Sequence, residues 1–287
     1  MQYAEHAPRA ALARVVRCIW IGEDASPDPS PQPVVGDGCP ELLVHFGSPM
    51  FERDEEGREH LQPRAFVAGQ LTRPLWLRPS GPVGVIGVRL HPWAAYSVLH
   101  TPLHELTDRR VELETVLPRS SVWVDRIIAA RDVDARVSAA EAIAMHGWKP
   151  DESGYDDLVA KCVARLDAAR AGPGGDDADA FSIDAIAHEV NMSRRQLERR
   201  FAERVGVSPR ALGGILRLRR FFDLLDHAGA PLVDAALAAG YYDQSHFARE
   251  FRRYAGLTAT EFLSTRPALA SAIFDVANVQ APPRPAV

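Results

Sequence analysis

The chain has 287 residues and a mass of 31.5 kDa, enough for two domains of ordinary size. At 46% hydrophobic and 25% charged residues it can bury a sizeable core, which excludes wholesale disorder. The sequence has no membrane-length apolar run and no apolar stretch near Met1 that reads as a secretory signal, and its three scattered cysteines (Cys18, Cys39, Cys162) make neither a disulfide framework nor a zinc cluster. The expectation is a cytoplasmic protein. The net charge of −5 hides an asymmetry. Residues 182–262 carry 12 Arg and no Lys against 10 acids, whereas residues 1–181 carry 19 basic against 27 acidic residues. Such a separation points to different partners for the two parts.

In chain order, residues 25–33 hold four prolines and read as an extended surface loop. Between about 15 and 92 the pattern favours strands. Residues 42–46 and 83–90 are short, β-branched or aromatic, and bounded by turn chemistry at 36–38 and 79–82. Repeated short strands of this kind suggest a small barrel or sandwich. From about 93 the spacing becomes helical, at 122–130, 137–145 and 155–169. The expected first domain, 1–170, is therefore a β core with flanking helices, a unit for sensing or dimerisation. Residues 172–175, Gly-Pro-Gly-Gly, cannot continue a helix or strand, so a linker is expected at 171–179.

Everything after the linker is helical, and two segments share one plan. Ser182 caps a short helix through Val190, a break follows at Asn191 and Met192, and Ser193 caps a second helix from Arg194 to about Arg204. Residues 232–238 form another short helix, Gly240 breaks it, and Asp243 caps a helix over 244–254. An apolar-striped stretch, 209–227, joins the two. In the second helix of each pair one face is apolar (Leu197 and Phe201; Phe247 and Phe251), and Arg194, Arg195, Glu198, Arg199 and Arg200 in the first, with Gln244, Ser245, His246 and Arg249 in the second, point away from it. A helix of nine or ten residues is about 14 Å long. It suits a major groove about 12 Å wide, where Arg reads guanine and Gln reads adenine. A solvated, salt-bridged helix face is the plainer reading of either helix alone; two matching segments about fifty residues apart weigh against it.

Residues 181–262 resemble the DNA-binding domain of AraC/XylS-type bacterial transcription regulators. The resemblance rests on IDAIAHEVNMSRRQLERRF (183–201), on Gly206-Val-Ser-Pro209 and Leu216-Arg-Leu-Arg219, and on AGYYDQSHFAREFRRY (239–254). Two departures, the missing proline in residues 257–260 and the alanines at 235–238, fall on structural positions. The resemblance implies an α+β protein whose all-α domain, 180–267, holds two helix-turn-helix units that read successive major grooves of double-stranded DNA. It is followed by a tail at 268–287. By residue matching, Arg195, Glu198, Arg199, Gln244, Ser245, His246 and Arg249 would read bases, and Arg194, Arg200, Arg252 and Arg253 would contact phosphates. It also implies a homodimer that engages RNA polymerase, with control by a small-molecule effector. The first half, through Gly36-Asp-Gly-Cys-Pro-Glu-Leu-Leu-Val-His-Phe46, Phe66-Val-Ala-Gly69 and Val88-Arg-Leu-His-Pro92, is similar to an uncharacterised cupin-like domain found ahead of such readers, and so implies a cupin-like barrel.

An enzymatic reading has less in the sequence to support it. Glu41 and His45 would share a strand face, and with His91 they could ligate a divalent metal, but the His-x-His spacing of metal-binding cupins is absent. No nucleophile motif, phosphate loop or Cys-x-x-Cys occurs, so no catalysis, metal or cofactor is expected. The alternative is a small-molecule-binding or metal-dependent cupin protein with a helical protein-interaction domain. Trp20, Phe46, Trp76, Trp93 and Tyr96 are the bulky residues that could line a pocket, with Arg89 and Glu41 as its first polar groups.

Overall fold

The computed structural model describes residues 1–168, 183–228 and 231–265; the expected linker at 171–179 and the tail from 268 lie outside the described residues. The first half carries ten strands: β1 (Gln2–His6), β2 (Val16–Asp24), β3 (Gln32–Val34), β4 (Glu41–His45), β5 (Met50–Arg53), β6 (Glu59–Leu61), β7 (Ala65–Ala68), β8 (Leu75–Pro79), β9 (Val83–Leu90) and β10 (Arg110–Glu112). They pair antiparallel into a six-stranded sheet ordered β1-β2-β9-β4-β7-β10 and a four-stranded sheet ordered β3-β8-β5-β6. The expected barrel is thus a sandwich of two open sheets. Strands at the ends of each order do not pair across, and the outer face of the larger sheet is covered by helices.

Strand alternation sets the layers. On β2, β4 and β9 the residues Ile19, Ile21, Leu42, Val44, Ile86, Val88 and Leu90 face a core shared with the helices α1 (Ala95–Leu99), α2 (Leu113–Val116), α3 (Ser121–Ala129) and α4 (Val133–Gly147). Their alternates, Cys18, Trp20, Leu43, Val83 and Val85, meet Val34, Met50, Leu75 and Leu77 of the smaller sheet. Gly87 opposes Trp20 in register, and a Cβ there would come within 2.3 Å of the indole. Glycine is the residue that lets the ring lie flat on β9.

After α5 (Tyr155–Ala168) the described chain continues with α6 (Ile183–Glu189), α7 (Arg194–Arg204), α8 (Pro209–Ala228), α9 (Leu232–Ala238), α10 (Gln244–Ala255) and α11 (Ala259–Thr265). Leu212 and Leu216 of α8 pack into a core with Ile186, Leu197 and Phe201, while Ile215, Leu218, Phe221 and Phe222 of the same helix pack with Phe247, Phe251 and Phe262. One helix of 20 residues, about 30 Å long, therefore belongs to both units and fixes one against the other. The second core is built on rings: Phe221 lies 4.8 Å from Phe247 and 5.8 Å from Phe251, both at steep angles.

The two halves are packed together. Val159, Cys162, Val163 and Leu166 of α5, which precede the Gly/Pro segment in sequence, are buried in the core of α6, α7 and α8. Val35, from the loop ahead of β4, enters the core of the second unit. Gly206 sits at φ +92°, and its carbonyl accepts a hydrogen bond from Thr107 Oγ1 at 2.8 Å. A side chain there would strike that hydroxyl and the Leu103 carbonyl. Among the described residues no helix is long and apolar enough to cross a membrane.

Candidate nucleic-acid interface

The two helix pairs are built by the same local rules. Each first helix ends in a left-handed residue, Asn191 at φ +53° and Gly240 at φ +95°. The next N–H then reaches back five residues, from Met192 to the Ala187 carbonyl at 2.8 Å and from Tyr241 to the Ala236 carbonyl at 3.1 Å. The second helices are capped by side chains. Ser193 Oγ accepts from Gln196 N while Gln196 Oε1 accepts from Ser193 N at 2.9 Å, a reciprocal capping box. Asp243 Oδ1 accepts from His246 N at 2.6 Å. The second turn is one residue longer than the first, so Leu197 and Phe201 correspond to Phe247 and Phe251. All four are buried.

That registration puts Arg195 beside Ser245 in role, and Arg199 beside Arg249. All four are exposed, as are Gln244, Arg252 and Arg253. Among the described residues no carboxylate lies within ion-pair distance of Arg195, Arg199 or Arg249. Their guanidinium groups keep all their donors for a partner.

The remaining residues of the expected set are engaged within the chain. Arg194 donates to Glu198 at 3.0 Å and lies 3.8 Å from Asp184, so Glu198 is a neutralised acid on the outward face of α7. Arg200 lies with its guanidinium 4.1 Å over the Tyr155 ring, donates to the Tyr155 hydroxyl at 3.0 Å and pairs with Glu203 at 2.9 Å. It faces α5 rather than the outside of the helix pair. His246 is half-buried, with ring nitrogens 3.3 Å from Tyr242 N and from Arg217 Nη1, and Arg217 pairs with Glu250 at 2.8 Å. This Arg217–His246–Glu250 group pins the start of α10 to α8.

Sequence reasoning missed Arg204. It lies on the same helix, its side chain only 8% exposed, 3.0 Å from Asp156 and 3.6 Å from Asp151, with its guanidinium 4.2 Å over the Tyr96 ring. It is a clamp between α7 and the first half. The spacing Phe201–Arg204 on the core side of α7 was the available signal, because an arginine three residues from a core phenylalanine shares its face.

The polar groups considered for a metal are otherwise occupied. Glu41 Oε1 accepts from Trp20 Nε1 at 3.0 Å and from Arg89 Nε at 2.7 Å. His45 is hydrogen-bonded to Gln62, and His91 stacks on Trp93 at 4.4 Å. Among the described residues no three His, Cys, Asp or Glu side chains converge as a metal site would require. Burial raises Glu41 and would raise Asp37, but Arg89 and Arg17 bring Asp37 below the usual carboxylate range. Burial alone would lower Arg89, yet Asp37 and Glu41 hold it well above its usual value. Of the bulky residues, Trp20 lines the space between the sheets, Phe46, Trp93 and Tyr96 pack on the helical side, and Trp76 lies near Gly256.

Comparison with known proteins gives each part its relatives. Residues 4–112 match a family described as a domain of unknown function (DUF6597), and residues 186–265 match one described as a helix-turn-helix domain. The chain is 29% identical over 132 residues to the HTH-type transcriptional regulator MtrA of Neisseria gonorrhoeae, covering 46% of this chain and 38% of MtrA. It is 37% identical over 76 residues to the HTH-type transcriptional activator RhaS of Escherichia coli O139:H28, covering 26% of this chain and 27% of RhaS. The matches thus span well under half of these relatives. Among solved structures, ToxT from Vibrio cholerae aligns over 86% of this chain and 98% of its own, at 10% identity and a TM-score of 0.48. A transcriptional regulator with an AraC-type DNA-binding domain from Chromobacterium violaceum aligns over 41% of this chain and 98% of its own, at 30% identity and a TM-score of 0.34. Two capped, matching helix pairs sharing one connecting helix are what the match of residues 186–265 to a helix-turn-helix domain describes, while residues 4–112 are similar to DUF6597.

Proposed function

We propose that the chain is a sequence-specific DNA-binding transcription regulator, with α7 and α10 as reading helices in successive major grooves about 34 Å apart. The observation that carries the reading is the pair of outward faces with matching register, where Arg195 and Arg199 on α7 and Ser245 and Arg249 on α10 are exposed and uncommitted. In this reading those four, with Gln244, contact base edges, and Glu198 and His246 act at the margins of the same faces. Arg194, Arg252 and Arg253 hold phosphates, and Arg200 does so only after leaving Tyr155. A homodimer, an effector held by the first half, and recruitment or blocking of RNA polymerase complete the proposal. It is tested by selecting genomic fragments with the full-length protein and titrating salt on the best one. A shared motif in two segments one helical turn apart, with affinity falling steeply as salt rises, is expected. Binding by the full chain without any preferred sequence overturns it.

A further inference from the structure

The turn of the second helix pair is one residue longer than that of the first, and Tyr242 is the residue added. Met192 and Tyr241 hold equivalent places, since each donates its N–H to the carbonyl five residues back. Ser193 and Asp243 are the equivalent caps. Tyr241 is buried, its ring 5.0 Å from that of Phe247, so it supplies the packing the turn needs. Tyr242 has no counterpart in the first pair. At 68% exposure it is the most exposed large hydrophobic side chain among the described residues. A single exposed ring is ordinary on a protein surface; what singles this one out is where it stands.

Tyr242 directly precedes the Asp243 cap, at the end of α10 that carries the exposed Gln244 and Ser245. A reading helix meets base edges with its first residues, so Tyr242 shares their approach to the DNA. Its backbone is held. Gly240 turns the chain at φ +95°, the Tyr242 N–H donates to His246 Nδ1 at 3.3 Å, and His246 Nε2 lies 3.3 Å from Arg217 Nη1 on α8. The ring is thus projected from a fixed point, and covering it orders little besides the side chain itself. Of the groups on base edges in the major groove, most donate or accept hydrogen bonds, which suits Gln244, Ser245 and Arg249. The apolar one is the 5-methyl of thymine, and the face of a phenol ring complements it.

We propose that Tyr242 is a specificity-determining residue, its ring packing on the 5-methyl group of a thymine at the edge of the segment that α10 reads. This rests on the regulator reading and adds to it a preference for thymine at one position. It also makes the two units unlike: the turn before α7 offers no such ring, and that helix presents the exposed Arg195 and Arg199 instead.

The test uses the full-length protein, the fragment it selects, and copies of that fragment in which uracil replaces each thymine of the two recognised segments in turn. The exchange removes the methyl and leaves base pairing unchanged. At one thymine, uracil is expected to weaken wild-type binding about fourfold, the value of one methyl withdrawn from water. Tyr242→Phe should keep that difference, and Tyr242→Ala should bind the thymine and uracil copies alike while unfolding in urea as the parent does. Equal binding of the wild type to every uracil copy overturns the proposal, as does a selected motif with no thymine in either segment; neither result needs a variant to fold. A uracil penalty that survives at every sensitive thymine in Tyr242→Ala overturns it too. These failures are read on a fragment that the wild type binds selectively, so they leave the regulator reading standing. A selection that yields no preferred sequence is the separate failure of that reading, and this proposal falls with it.

Discussion

Two arginines five residues apart on α7 should separate reading from folding. Arg199 is exposed and uncommitted, so Arg199→Ala removes nothing the fold uses and should change stability by no more than ~0.5 kcal/mol. If its fork reads a base, its loss costs about 1–3 kcal/mol of binding, roughly five- to 150-fold in Kd, and relaxes preference at one base pair. Arg204 is the inverse case. Its side chain is 8% exposed and clamps Asp156 and Asp151, so Arg204→Ala strips a buried ion pair of its cation. Such losses cost about 3–5 kcal/mol. The lower end applies, because Ser97 continues to hold Asp156 and Ser153 continues to hold Asp151. The assays are fluorescence anisotropy on a selected DNA fragment and urea unfolding of each variant. Unchanged affinity and unchanged base preference for Arg199→Ala would refute the assignment of α7 as a reader. An Arg204→Ala protein as stable as the parent would refute the clamp.

Acid should destabilise the first half through His45: the unfolded chain binds a proton at this residue near pH 6.5, while the folded one resists it until about 4, so stability is lost as pH falls through that window. The difference between wild type and His45→Phe should therefore change by about 3 kcal/mol from pH 7 to pH 4, and parallel unfolding curves across that range would refute the depressed basicity. Ser193→Ala and Asp243→Ala should each cost about 1 kcal/mol in thermal unfolding, because each removes the cap of a reading helix. Gly87→Ala should cost about 1–3 kcal/mol and shift tryptophan fluorescence, since the new methyl must displace the Trp20 ring; an unchanged spectrum would contradict that packing. Phe221→Ala should cost about 3–5 kcal/mol, because its ring fills the core shared by α8 and α10.

The second helices of the two pairs were legible because their signals are local. Ser193 and Asp243 cap helices that begin at Arg194 and Gln244, as the spacing predicts, and the apolar pairs Leu197–Phe201 and Phe247–Phe251 face inward as their four-residue interval requires. The strand at 83–90 and the helix over 155–168 were equally plain in pattern. The same alternation put Glu41, Leu43 and His45 on one face of β4, and all three line the inter-sheet space.

What the pattern could not supply was the identity of each partner. Alternation assigns a strand two faces, but that β4 lies between β7 and β9 depends on residues 20 to 50 positions away, and an open sandwich and a closed barrel use the same alternation. The stripe on α5 announced a buried face without saying that the face belongs to the core of α6 and α7. For the arginines of α7, helical periodicity separates the inside of the helix pair from its outside, and it places Arg194, Arg195, Arg199 and Arg200 together on the outside. It could not say that part of the outside is covered by the first half, where Tyr155 takes Arg200, nor that on the inner face the carboxylates of Asp151 and Asp156 take Arg204. Local sequence determines where a helix starts, stops and is apolar, because those depend on hydrogen bonds and side chains within one turn. Which of its charged residues remain free for a ligand was decided only by the tertiary contact, which brings together groups that have no relation along the chain.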